Sequence, residues 1–163
     1  MKRKSVRIYS FTGTGSCLAL KLAEKLKQEE YVCTGYTVAR FAEDKRLQRL
    51  NDGWKQEIGA SWGEHALVFI GAAGIAIRAI APFVKDKFTD PPVIVLDEKG
   101  TFAIPLLSGH VGGGVTLAKV LAEYTGGRAV ITTATDVQKK FAADVFAMEN
   151  GLVITCLLYT SPS

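Results

Sequence analysis

The sequence predicts a layered α/β fold with a mostly parallel sheet, one β-hairpin and helices on both faces. Three observations point there. Short apolar runs alternate with longer amphipathic runs along most of the 163 residues, the pattern of β-α units. Ala66 to Ile70 and Val93 to Leu96 are apolar at every position, as strands buried on both faces are. Asp97-Glu98-Lys99-Gly100 has turn composition between two short β-like runs, which marks one antiparallel excursion.

The elements follow in order. Val6 to Phe11 alternates and is rich in β-formers, so it reads as a first strand. Thr12-Gly13-Thr14-Gly15-Ser16 reads as a loop, followed by a helix with Leu18, Leu22 and Leu26 at i, i+4 spacing. Tyr31 to Val38 reads as a second strand, with Gly35 as its weak point. Arg40 to Gln56 is charged and poorly patterned, and reads as one irregular helix ending between Trp54 and Trp62. After the strand Ala66 to Ile70, Gly71-Ala72-Ala73-Gly74 opens a helix. Its apolar face carries Ile75, Ala76, Ile77 and Ile80, with Arg78 off that face, and Pro82 ends it.

Lys85 to Asp90 is polar, and Pro91-Pro92 stops any helix. Val93 to Leu96 and Thr101 to Pro105 form the hairpin around Gly100, a residue able to take positive φ. Leu106 to Gly114 is a strand-to-helix junction, and Leu117, Val120, Leu121 and Tyr124 share a face of the helix Val115 to Tyr124. Gly126-Gly127 caps that helix. Arg128 to Thr132 reads as a strand with Thr133 to Asp136 at its carboxyl end. Phe141 to Glu149 reads as a last helix, stopped by Asn150-Gly151.

Composition narrows the function classes. A chain that is 48% hydrophobic and 22% charged has the make-up of a soluble globular domain, and its length suits one domain, or one domain plus the start of another. The net charge of +4 is concentrated in the first third of the chain. It suits an anionic ligand, or simply a solvated helix face. No aromatic-rich basic patch accompanies it, so nucleic acid is not an expected partner. No apolar run approaches the roughly 20 residues of a membrane span, and no signal peptide is legible. The three cysteines show no C-x-x-C spacing and the two histidines are far apart, so no metal site is expected. An odd cysteine count without a signal peptide points to a reducing cytoplasm.

In such sheets ligands bind beyond the carboxyl ends of the strands. Four strand ends carry small hydrogen-bonding stretches, here expected at one edge: Thr12–Ser16, Gly71–Gly74, Ser108–Gly114 and Thr133–Asp136. Together they suit a ligand with several carboxylates or phosphates. The candidate ligand-facing residues are Thr12, Gly13, Thr14, Gly15, Gly71, Gly74, Ser108, Gly109, Gly112, Gly113, Thr133 and Thr135, with Arg78 as an anion contact. His110 is the natural proton carrier, and Asp136 and Glu98 are the candidate carboxylates.

Each candidate also has a plainer reading. The glycines form a tight turn, His110 fills it, Asp136 caps the next helix, Glu98 and Asp97 make the hairpin turn, and Arg78 is solvated. His65 reads as a surface residue, and Cys17 as a small core residue rather than a low-pKa thiol. Two known patterns fail. Ser108 is not in a G-x-S-x-G elbow and its nearest histidine is two residues away. Gly13 and Gly15 fit two positions of G-x-G-x-x-G, but Leu18 stands at the third and no G-K-[ST] follows.

Four blocks, taken in series, carry a resemblance: Phe69 to Pro82, Asp90 to Gly100, Leu106 to Gly113 and Ile131 to Asp136. In this order and spacing they resemble the N-terminal part of the cobalt-precorrin-5A hydrolase (CbiG) family of anaerobic cobalamin biosynthesis, from about Val6 to Leu152. The resemblance implies an enzyme that opens the δ-lactone of a cobalt-bound, ring-contracted corrinoid and releases a two-carbon fragment as acetaldehyde. It implies a cytoplasmic substrate rich in acetate and propionate side chains. The cobalt belongs to that substrate, so no cofactor of the protein's own is expected. Other enzymes of the cobalamin pathway are the implied protein partners.

On this reading His110 is the general acid or base, Asp136 orients it or shares the proton, and the N–H groups of Gly112 to Gly114 face the oxyanion. Arg78 and Thr12–Ser16 hold substrate carboxylates. The domain expected is 1–152. Family members continue into a linker and a second domain, whereas 153–163 (Cys156 to Ser163 above all) does not resemble that continuation and reads as a truncated or non-native tail. Two other readings stay open: a corrinoid- or polyanion-binding fragment without turnover, and a nucleotide-binding α/β domain.

Overall fold

Strand β1, Ser5–Ser10, sends alternate side chains into two separate cores, Val6 and Ile8 into one and Tyr9 into the other. That alternation is the period-2 geometry of a strand covered on both faces. It repeats in β4 (Ala66–Ile70), where Val68 and Ile70 oppose Leu67 and Phe69, and in β5 (Val93–Leu96), where Ile94 and Leu96 oppose Val93 and Val95. The computed structural model describes residues 4–109 and 112–133. His110, Thr135, Asp136, the expected helix Phe141 to Glu149 and the stretch 153–163 lie outside the described residues.

Among the described residues the sheet has seven strands, in the order β3-β2-β1-β4-β5-β6-β7. The others are β2 (Val32–Thr37), β3 (Leu47–Arg49), β6 (Phe102–Leu107) and β7 (Arg128–Ala129). Pairing is parallel from β3 through β5 and again between β6 and β7, and β5–β6 is antiparallel. The mixed sheet with one hairpin expected from the sequence is therefore present.

Crossover direction decides which face each helix covers. The connection from β1 to β2, through α1 (Gly13–Gln28), steps one way along the sheet. Those through α2 (Trp54–Ala60) and α3 (Ala73–Ile80) step the other way. Right-handed crossovers then place α1 opposite α2 and α3. Leu22 and Leu26 of α1 lie in the first core, and Ile58, Ala76 and Ile80 lie in the second. Strands β6 and β7 run reversed, so α4 (Gly114–Thr125) returns to the face of α1, where Leu117 and Leu121 are buried.

Several expectations are corrected. Gly13 to Ser16 is the first turn of α1, not a loop. Thr12 Oγ1 accepts from Gly15 N–H at 3.0 Å, capping the helix. Ser16 Oγ donates to Thr12 O at 2.8 Å and lies 2.7 Å from Thr37 Oγ1, in a buried hydroxyl cluster with Ser10. Arg40 to Gln56 is not one helix. It holds a 3-10 turn (Ala39–Phe41), the short strand β3 and the start of α2. Gly35 is a close approach rather than a weak point, because a Cβ there would lie 2.5 Å from Leu47 Cδ2.

The second arm of the hairpin extends two residues further than expected, to Leu107, and β7 is shorter than Arg128 to Thr132. Ile77 is 52% exposed, whereas Ala79 takes the buried place. Cys17 is exposed, not core. His65 is half-buried, with Nδ1 2.7 Å from Ser5 Oγ, and burial with nearby Arg7 holds its pKa down.

The hairpin turn is organised by Asp97. Its carboxylate accepts from Lys99 N–H at 3.0 Å and Phe102 N–H at 2.7 Å. Burial alone pushes the Asp97 carboxyl up, but N–H groups from Phe102, Thr101 and Lys99 outweigh it and hold the group below its ordinary value.

Two outcomes test this packing. Leu22 is 1% exposed, so Leu22→Ala should lower the unfolding free energy by about 2–5 kcal/mol in urea titrations. A loss well under ~1 kcal/mol contradicts the assignment of the α1 face to the core. The depressed Asp97 value means its contribution is complete above the unfolded value near 3.9 and is lost as pH falls through the lower folded value. The gap in urea midpoint between the wild type and Asp97→Asn should therefore shrink from about pH 5 to pH 2; a constant gap contradicts it.

Candidate functional site

Strand β1 sits between two parallel neighbours, β2 and β4, whose crossovers leave on opposite faces. A crevice opens beyond the carboxyl ends of strands at such a switch point. Thr12, Glu98, Gly71, Gly74 and Arg78, all candidates, come to this edge. Thr12, just past β1, donates its hydroxyl to Glu98 Oε2 at 2.8 Å, which ties the start of α1 to the hairpin turn. Gly71, just past β4, has φ +149 and donates its N–H to Leu96 O at 2.8 Å. That left-handed backbone turns the chain beneath the Phe11 ring, which a Cβ on Gly71 would meet at 3.5 Å. Arg78, one helical turn past Gly74, folds back along α3, so that a Cβ on Gly74 would lie 3.3 Å from its Nη2.

Beside these residues lies a cleft of about 540 Å³. Phe11, Trp54 and Ile75 supply apolar lining, and Arg49, Lys55 and Arg78 supply three cations against one carboxylate, Asp52. The Trp54 indole is 5.7 Å from both the Tyr9 and Phe11 rings, which seats it against the second core. Burial among these rings pushes the Tyr9 phenol up to about 12. Arg49 and Arg78 are exposed and enter no ion pair among the described residues. Thr14, Gly13 and Gly15 belong to the first turn of α1, whose N–H groups and positive dipole end favour anions. Gly15 is buried and its N–H is taken by Thr12, so the first turn offers fewer free donors than an open loop.

The remaining described candidates lie elsewhere. Strand β6 runs antiparallel, so Leu107 pairs with Val93 at the amino end of β5. Ser108, Gly109, Gly112, Gly113 and Thr133 therefore cluster at the opposite edge of the sheet. The six residues of β6 separate the two edges by about 20 Å at ~3.3 Å per residue. The expectation of four stretches at one edge is corrected by that reversal.

At this second edge Ser108 has φ +51 and donates its hydroxyl to Asp90 O at 2.5 Å. Ser108 O and Gly109 O accept from Gly114 N–H and Val115 N–H at 3.1 and 2.9 Å, and Gly113, with φ +80, caps α4. Gly112 packs so closely on Ser108 that a Cβ would meet its backbone O at 2.9 Å. The described glycines pack closely against Ser108 and the start of α4. Ser108, Gly109, Thr133 and Asp86 line a second cavity of about 330 Å³. Asp90, polar but only 6% exposed, anchors this region by accepting from Trp62 Nε1 at 2.9 Å and from Lys85 N–H at 3.0 Å.

Arg49, Trp54 and Lys55 were not among the residues singled out by sequence. They fall in the stretch that lacks periodicity, and only the sheet order brings them to the switch point. Asp90 carries a weak signal, an aspartate directly before Pro91-Pro92. Among the described residues no group of three or more His, Cys, Asp or Glu side chains is arranged to hold a metal ion, and no helix is long and apolar enough to cross a membrane.

Comparison with known proteins matches residues 58–136 to the family described as cobalamin synthesis G, N-terminal. The chain is 39% identical over 150 residues to the cobalt-precorrin-5A hydrolase of Salmonella typhimurium, a match covering 91% of this chain and 41% of that protein. It is 46% identical over 87 residues to the enzyme of the same name from Priestia megaterium, covering 53% of this chain and 23% of that one. The fold matches the crystal structure of a cobalamin biosynthesis protein G homologue from Sulfolobus solfataricus with a TM-score of 0.61 and 27% identity, over 78% of this chain and 36% of that chain. The matched stretch thus spans about two fifths or less of each of these relatives. Sequence and fold agree that residues 58–136 are the N-terminal region of the cobalamin synthesis G (CbiG) family, and that the chain is similar to proteins of that name over most of its length.

Proposed function

We propose that this chain acts in a cobalt-precorrin-5A hydrolase, and that its carboxyl-edge cleft holds the corrinoid while the δ-lactone is opened and acetaldehyde leaves. The observation that carries the reading is the 39% identity to an enzyme of that name across 91% of this chain. The cleft supports it, since an apolar patch rimmed by Arg49, Lys55 and Arg78 suits a macrocycle edged with carboxylates. The cobalt ion travels in that substrate. A reducing cytoplasmic setting and other cobalamin-pathway enzymes as partners belong to the same proposal.

The chemistry needs water to add to the lactone carbonyl, with the ring C–O bond breaking to give a carboxylate and an alcohol. Deprotonating that alcohol lets its carbon–carbon bond break. Acetaldehyde departs, and the electron pair left on the macrocycle takes up a proton. Two groups are candidates for moving those protons. Glu98 is held by Thr12, the residue after Phe11 of the cleft lining. His110, with Asp136 as its orienting partner, is the other. Each can act as general acid or base. The N–H groups of Gly112 and Gly113 go with the His110 alternative, as oxyanion donors worth roughly 2.7–4 kcal/mol each, whereas Gly114 N–H is already given to Ser108 O.

The test is anaerobic incubation with cobalt-precorrin-5A, with acetaldehyde followed through alcohol dehydrogenase and NADH. Acetaldehyde above the no-protein control is expected. Glu98→Gln keeps the bond from Thr12 and should lower kcat by about 10²–10⁴ with KM little changed. Arg78→Ala should raise KM about 10- to 100-fold, the worth of a charge-assisted hydrogen bond. A fully active Glu98→Gln beside an inactive His110→Ala assigns the proton transfers to His110 instead. A shifted corrinoid spectrum without acetaldehyde favours the second reading, a corrinoid-holding part without turnover.

A further inference from the structure

We propose that the segment from Arg49 to Lys55 is the specificity wall of the cleft: Arg49 and Lys55 select a flat macrocycle by its rim carboxylates, and Trp54 by its apolar face. The inference rests on the cleft being a corrinoid site and names residues that the reading of the sequence leaves out.

The sheet fixes this wall. Arg49 ends β3 in register with Thr37 of β2, and Leu50 N–H donates to Thr37 O at 2.8 Å. Gly35 admits Leu47, so β3 lies close along β2 and Arg49 is carried to the carboxyl edge. Three residues on from Asn51, Trp54 opens α2, and its indole is wedged against Tyr9 and Phe11 while staying only half-buried. Lys55 Nζ stands 5.6 Å from the indole centroid. Across the cleft Arg78 projects from α3.

The cations therefore stand on three separate elements, β3, α2 and α3, around an apolar patch. A ligand with one anionic group needs only one of them. A ligand with carboxylates spread around an apolar body meets all three at once, and the distance between Arg49 and its partner across the cleft is set by sheet and helix, not by a loop. A nucleotide would instead need free donors at the α1 start, where Thr12 and Gly15 already bond each other.

The test uses dicyanocobyrinic acid, a corrinoid with free carboxylates around its rim, and its fully methyl-esterified form, the same macrocycle without those charges. Binding is read by calorimetry on the whole chain. The wild type should bind the acid at least tenfold more tightly than the ester. Arg49→Ala and Lys55→Ala should each weaken the acid about 5- to 30-fold and leave the ester unchanged. Both side chains are exposed, so these variants should keep the wild-type circular dichroism. Trp54→Phe should weaken acid and ester alike. Lys119→Ala, an exposed cation on α4, should change neither.

Unchanged acid binding in Arg49→Ala and Lys55→Ala, with acetaldehyde still formed from cobalt-precorrin-5A, overturns the wall and leaves the corrinoid reading standing. Equal affinity of the wild type for acid and ester also overturns the wall. A wild type that binds neither probe and forms no acetaldehyde overturns both.

Discussion

The structure depends on β1 being paired in parallel on both sides. Val6 and Ile8 on one face, and Tyr9 on the other, force covering helices on both faces of the sheet. Because the crossovers leave β1 and β4 in opposite directions, no helix among the described residues closes over the gap between their carboxyl ends. The crevice is thus a consequence of strand order and crossover handedness, not of any local motif. Thr12, Gly71, Arg78 and the Arg49–Lys55 segment become neighbours only because of it.

The antiparallel turn between β5 and β6 is the second constraint. It carries Glu98 to the crevice, where Thr12 holds it, and it sends the Ser108–Gly114 junction to the opposite edge. There the glycines satisfy a compact turn over the start of α4, and Ser108 and Asp90 pin that turn to the end of the proline-rich stretch. The chain thereby separates an apolar, cation-rimmed cleft from a tightly packed glycine turn. The two look equally inviting when read as sequence.

What was legible follows the range of the forces involved. Ala66–Ile70 and Val93–Leu96 declare themselves because burial on both faces demands apolar side chains at every position. Gly100 and Gly126 declare themselves because a turn and a helix end need positive φ. Thr12–Ser16 misleads because its composition is that of a loop, whereas the helix start is set by a cap and by hydroxyl bonds from Ser16 to Thr37, a residue distant in sequence. The Arg40–Gln56 stretch misleads because β3 is three residues long and is held by its register with β2. Which edge a strand end faces has no local signal at all. The hairpin could be read from Asp97 to Gly100, but its effect on Ser108 appears only once β6 and β7 are paired.

The central claim is that the corrinoid sits at the carboxyl edge of the parallel strands. The most direct measurement is hydrogen–deuterium exchange of the chain with and without dicyanocobyrinic acid. The account predicts slowed exchange in residues 11–16, 49–55 and 71–78, with residues 107–109 and 112–117 unchanged. Slowed exchange confined to 107–109 and 112–117 would contradict it and place the ligand on the glycine turn instead.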